Sequence, residues 1–316
     1  MSKKIVVVIC ILFALLAFSD VAGFVTNARG GLLLFGNNVL PVLFPFFFIS
    51  SLLVELDLFK CRRAQGIGIV AISFLSGYPT GARMLAELYT RGEITREKAI
   101  KTATYTSVAS PIFIIATVGT AMYGDVRLGV IIFAAHVAGA LVNGLLYTRG
   151  AAPGILSFVA GVCGTRAACA RPRPCGHVLD ASATASSTPG AAPRREMTTG
   201  LSDSISRALY SSVQNIMAVG GLIVIFFIAS APLATPIAAV LEMTTGVFRA
   251  SETGLGGIWR AVIPCLIVSF GGFCVAMQAF VFLKEFKMPV WFYFLYKVTH
   301  AVIAAGVCAV LLLVMT

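Results

Sequence analysis

The chain has 316 residues and a formal net charge of +11, with 58% hydrophobic and only 12% charged residues, against roughly a quarter charged in an average soluble domain. That balance, with a mean hydropathy of +0.93, excludes an ordinary soluble domain. The basic residues fall in short clusters between apolar runs rather than in one aromatic-interleaved patch, which excludes a nucleic-acid surface and points to membrane topology.

Several apolar runs reach the ~20 residues that cross a hydrocarbon core, so the expected fold class is an all-α polytopic membrane protein. The helix expected at 4–24 has Lys3 and Lys4 before its apolar core. Val21-Ala22-Gly23 loosely fits a cleavage site, but the run is long for a signal-peptide core, and a retained helix is favoured. An interfacial stretch is expected at 25–37, then a helix at 38–56 carrying Pro41 and Pro45. An interrupted segment at 66–91, an amphipathic approach at 93–106 and helices at 107–123 and 128–148 complete the first half. Residues 149–204 are rich in Ala, Pro, Ser and Arg and read as a loosely packed cytoplasmic loop. The second half has a helix at 206–230, a broken segment at 232–257, a long segment at 258–283 interrupted at Gly271-Gly272, and a last helix at 289–315. The chain therefore divides into an N-terminal helix with its interfacial stretch (1–37), a first membrane repeat (38–148), the linker (149–204) and a second repeat (205–316).

Charge decides how the broken segments run. With the N-terminus inside, Lys60, Arg62 and Arg63 are cytoplasmic. If 66–91 spanned the membrane, Arg91, Arg96, Lys98 and Lys101 would be outside, against the positive-inside rule. A hairpin turning at Gly77–Gly81 keeps them inside and leaves only Arg29, Arg127, Arg249 and Arg260 outside, with Arg83 and Lys297 at membrane depth. The same bookkeeping makes 232–257 a hairpin entered from the opposite face. Two halves of opposite orientation, each with a re-entrant hairpin and a discontinuous spanning helix, are the signature of an inverted-repeat transporter whose site lies near the midplane.

The candidate site follows from those breaks. Gly77, Tyr78, Pro79, Thr80 and Gly81 interrupt the first hairpin at a depth where unpaired backbone groups survive only against protein or a water-filled cavity. Arg83 comes at the start of the returning half-helix, where the positive helix end and a guanidinium suit a carboxylate; pairing with Glu87 one turn on is the bland alternative. In "VLEMTTG", Glu242, Thr244 and Thr245 form the second tip, and Glu242 is read as a site for a coupling cation, a proton or the substrate itself. "EMTTG" recurs at 196–200 in the linker, so the apolar context carries the weight. Ser110 before Pro111, Gly271 with Gly272, and Gln278 mark the spanning partners; His136, Lys297 and His300 are read as packing or interfacial groups ahead of proton carriers. No cofactor is expected. Cys163, Cys169, Cys175 and His177 cluster in the linker at no common zinc spacing, so no metal is expected either. The phosphate-loop, His-Glu-x-x-His and Gly-x-Ser-Gly patterns are absent, and no enzymatic activity is expected.

"SGYPTGAR", "SPIFIIATVG", "SSVQNIMAVGGLIVIF", "LEMTTG" and "SFGGFCVAMQ" occur in this order, and the set resembles the YlbJ-type sporulation integral membrane proteins, which carry nucleoside-recognition or gate domains. The resemblance covers roughly 35–148 and 205–312. Thr104 to Ala109 replace an Asn-rich stretch usual in that family, and Cys274 stands where Ser is usual. The resemblance implies late spore maturation and movement of dipicolinic acid toward the forespore across the outer forespore membrane. The expected partners are a small anionic metabolite and membrane lipid, with other sporulation membrane proteins as further candidates. A non-transporting scaffold and a nucleoside carrier are the alternatives.

Overall fold

The computed structural model describes residues 17–56, 62–148 and 200–315, with scattered positions before residue 17. The linker cysteines and His177 lie outside the described residues. No strand occurs among the described residues, and the protein is an all-α polytopic membrane protein. Its helices Val126–Tyr147, Leu201–Ser230, Trp259–Phe286 and Val290–Met315 are each long and apolar enough to cross a membrane.

Asp20 ends the first helical stretch and starts α1 (Val21–Leu34), its Oδ1 accepting the Gly23 N–H at 2.9 Å. The chain then winds through a π-turn, Phe35–Val39, into α2 (Leu40–Glu55). Residues 25–37, expected as an interfacial stretch, are therefore helical. Nothing there stops a helix: Leu34, Phe35 and Leu40 all keep right-handed helical angles, and the π-turn absorbs the change of register.

After α2 come α3 (Arg62–Ser76) and α4 (Thr80–Thr90), separated by 77–79. Next are α5 (Arg96–Thr106), the non-helical 107–110, a π-helical segment Ile112–Met122 and α6 (Val126–Tyr147). The second half begins with α7 (Leu201–Ser230), followed by α8 (Thr235–Leu241) and α9 (Met243–Glu252), which meet at Glu242. Then α10 (Trp259–Phe270) and α11 (Gly272–Leu283) meet at Gly271, and α12 (Val290–Met315) closes the chain. Each half runs in the same order: a helix, a pair split at a tip, a pair split at a break, a helix.

Both tip pairs fold back on themselves. A β-carbon on Gly81 would lie 2.6 Å from Ser73 Oγ, and one on Gly246 would lie 2.4 Å from Ala239 Cα. A continuous helix would hold such positions about 10–12 Å apart. Each tip also abuts a break. Gly77 has φ +77° and the space for its missing β-carbon ends 2.4 Å away, at the Ser110 nitrogen; Gly272, at φ +75°, faces the Val240 carbonyl at 3.0 Å. Gly77→Ala is accordingly expected to lose more than the roughly 1–2 kcal/mol of a left-handed β-carbon, because the first break must also move, and a lowered melting temperature of the purified protein would register it.

Apolar packing holds this frame. Ile114 of the π-segment, Ile132 of α6, Val268 of α10 and Ala304 of α12 belong to one buried cluster. Met84, Leu85 and Leu88 of α4 share a second with Phe282 of α11 and Tyr293 of α12. Small residues let α6 and α12 approach closely, Gly139 lying against Ala304, the mode expected where lipid removes the hydrophobic drive between helices.

Candidate functional site

The segments that hydropathy breaks apart are brought together by the fold. One cavity receives Ser76 and Tyr78 from the first tip, Ala109 and Ser110 from the first break, Glu242, Met243 and Thr244 from the second tip, and Cys274, Val275 and Gln278 from α11 just past the second break. Leu34, Val39 and Leu43 from α1, the π-turn and α2, with Ile223 of α7, close an apolar side.

Local chemistry explains each end. Ser110 Oγ accepts the Phe113 N–H at 3.2 Å, and Pro111 has no N–H to leave unpaired, so the Ser-Pro pair opens the π-segment cleanly. Gly271, at φ +83°, closes α10 with its N–H on the Ile267 carbonyl at 2.9 Å, the left-handed stop that glycine adopts without a side-chain penalty. Glu242 caps α9, its two oxygens accepting from Thr244 N–H at 3.0 Å and Thr245 N–H at 2.6 Å. The starts of α9, α11 and the π-segment thus gather at the cavity, and helix starts carry partial positive charge. Glu242 already occupies one of them. Among the described residues it is the one formally charged side chain in the lining.

Of the residues expected at the site, Tyr78, Ser110, Glu242, Thr244 and Gln278 line the cavity. Gly77, Pro79, Gly81, Gly271 and Gly272 shape the backbone around it without lining it. Thr80 is buried, and no described residue partners its hydroxyl; Thr245 Oγ1 meets Ser230 Oγ at 3.5 Å. Ser76 and Thr117 line the cavity as well; adjacency to Gly77 was a signal for Ser76, whereas π-helical winding hides the face of Thr117 from an α-helical count.

Arg83 is placed elsewhere. Its guanidinium is buried and donates to the Phe47 carbonyl at 2.8 Å, Ser50 Oγ at 3.3 Å, Ser211 Oγ at 3.2 Å and Ser51 Oγ. Glu87 Oε2 lies 4.0 Å away and the Phe47 ring centroid 5.4 Å away. The group therefore ties α4 to α2 and α7. Arg249 does the same in the second half, tying α9 to the end of α7 through the carbonyls of Ala231 at 2.8 Å, Ser230 at 3.5 Å and Leu233.

His136 serves the first break. Its Nε2 accepts the Ala109 N–H at 2.9 Å, while Nδ1 lies 2.8 Å from Ser269 Oγ. A neutral ring protonated at Nδ1 satisfies both contacts, and a second proton would remove the acceptor that Ala109 uses. His136→Ala should orphan that buried N–H and destabilise the protein by about 1–3 kcal/mol, to be measured by denaturant unfolding in detergent, with His136→Gln expected to recover part of the loss.

No model of a known protein family matches the chain, and no solved structure does. The chain is similar to the sporulation integral membrane protein YlbJ of Bacillus subtilis (strain 168), with 26% identity over 322 residues that cover 88% of this chain and 75% of the relative. That similarity, extending through both halves, supports the resemblance to the YlbJ-type sporulation membrane proteins carried by the ordered motifs.

Proposed function

We propose that the protein is a carrier of a small anionic metabolite in sporulation, with dipicolinic acid the first candidate, moved toward the forespore across the outer forespore membrane. The two halves act as inverted repeats around a central site, and the protein has no enzymatic role. One observation carries this reading: both tips and both breaks, four separate interruptions of the chain, converge on one cavity. Broken helices at membrane depth are tolerated where they line such a space.

The carboxylate of Glu242 bears on the mechanism. A dianion beside it raises local negative charge, so a proton or cation taken up with the solute would relieve the repulsion. A second reading has its own support. Apart from Glu242 the polar lining given by the described residues is neutral, with Tyr78, Ser110, Thr117 and Gln278, and Arg83 is engaged outside it. That lining also suits a neutral, hydrogen-bonding solute such as a nucleoside.

Purified protein in liposomes, offered labelled dipicolinate or labelled uridine, separates the readings. Dipicolinate accumulation driven by a proton or sodium gradient is the expected result. Uptake of uridine alone would move the assignment to the neutral solute, and uptake of neither would leave the scaffold reading. The inverted arrangement has a separate test: on a background free of native cysteines, Arg63→Cys and Glu93→Cys should react with an impermeant maleimide from the same side. Labelling from opposite sides would remove the first hairpin and the repeat with it.

A further inference from the structure

Lys297 on α12 is fully buried within a helix apolar enough to cross a membrane. Among the described residues no carboxylate comes within ion-pair distance of it. Its Nζ donates to Tyr78 Oη at 2.7 Å and to the Ser107 carbonyl at 3.2 Å, and stands 4.6 Å from the Tyr78 ring centroid. Tyr78 Oη in turn donates to the Val268 carbonyl at 3.2 Å, and the Tyr78 side of this network lines the cavity.

The placement has a physical logic. Ser107 follows the last turn of α5 where the first break opens, and Val268 belongs to the last turn of α10 before the second. Both are negative helix ends; the ammonium meets the first directly and the second through Tyr78, whose ring lies beside it, so it is held without a counter-ion. Neutral donors would satisfy the same oxygens. A buried charge without an ionic partner is otherwise strongly disfavoured, and ionisable groups at membrane depth mark solute or ion pathways. The same cavity is lined by Glu242, of opposite sign.

We propose that Lys297, acting through Tyr78, is the positive charge that makes the cavity prefer an anionic to a neutral solute and that turns the solute's carboxylate toward Tyr78 and away from Glu242. The inference rests on the carrier reading above but not on dipicolinate as the solute. It makes Lys297 a positioning and specificity residue, one side chain removed from the bound molecule.

Two matched pairs of probes test it by calorimetry on the full chain in detergent: dipicolinate with pyridine-2,6-dicarboxamide, and benzoate with benzamide. The parent should bind an acid more tightly than its amide. Lys297→Gln, which keeps a hydrogen-bond donor, should weaken acid binding by about tenfold or more and leave amide binding unchanged, while Lys297→Arg should keep the preference. If Lys297→Gln does not fold, Tyr78→Phe, which severs the link and leaves the lysine, must lose part of the preference. Acid and amide weakened alike, an acid preference left undiminished by Lys297→Gln or Tyr78→Phe, or a parent that favours no acid would each overturn the proposal. Should dipicolinate fail to bind while benzoate is preferred over benzamide, the dipicolinate assignment falls and the role of Lys297 stands.

Discussion

Arg83→Gln is expected to destabilise the protein by about 3–5 kcal/mol, the range for removing one member of a buried charged cluster, and to leave the solute affinity of the folded fraction unchanged. The guanidinium joins three helices: the Phe47 carbonyl and two serines on α2, Ser211 on α7, and its own α4. A glutamine amide is shorter and has two donors, so it cannot reach both α2 and α7. Arg83→Lys should recover part of the stability, since an ammonium keeps the charge but not the planar fork. Chemical unfolding and calorimetry on the same preparations separate the two effects. A variant of parental stability that has lost dipicolinate binding would return Arg83 to the anion site suggested by its position after the tip.

Glu242→Gln should act in the opposite sense on binding. Removing a negative charge from the cavity wall should tighten dipicolinate binding by about 1–3 kcal/mol, the Coulomb scale for charges several ångströms apart at an intermediate dielectric. Uptake driven by a gradient should collapse, because the carboxylate that would take up the proton or cation is gone. The cap on α9 should weaken only modestly: the amide oxygen can still accept one of the two N–H groups now shared by the carboxylate. Paired measurements of equilibrium binding and gradient-driven uptake carry the test. Equal losses in both would mean that Glu242 holds the tip together and has no part in coupling.

The interruptions themselves were legible. Single prolines such as Pro45 and Pro264 stay inside apolar helices, but clustered glycine and proline, or Ser-Pro, break the run, so 77–81, Ser110-Pro111 and Gly271-Gly272 announced three of the four openings, and Glu242 announced the fourth by its charge. Helix 25–37 was not legible, because an apolar stretch without stop signals gives no sign that a π-turn will carry it onward. The partners of Arg83 were hidden for another reason. Ser211 is 128 positions away, and no local pattern ranks it above Glu87, one turn along. Tyr78 and Lys297 are separated by 219 positions, and only the packing of α12 against the two broken helices joins them. Hydropathy found the pieces of the site; which side chains face it was decided by contacts between halves.

Arg83 and Arg249 also constrain how the molecule can move. Each acts as a rivet set within two turns of a hairpin tip, through α2 and α7 in the first half and through the end of α7 in the second. A hairpin swinging as a free flap would have to shed several charge-assisted bonds at about 1.5–3 kcal/mol each, whereas a hairpin carried as one stiff body with its supporting helix sheds none. Because α7 takes a rivet from both hairpins, it is the common axle, and if the protein works as the carrier proposed above, the compliance to open the cavity to one side and then the other would have to reside in the contacts that the rivets leave free.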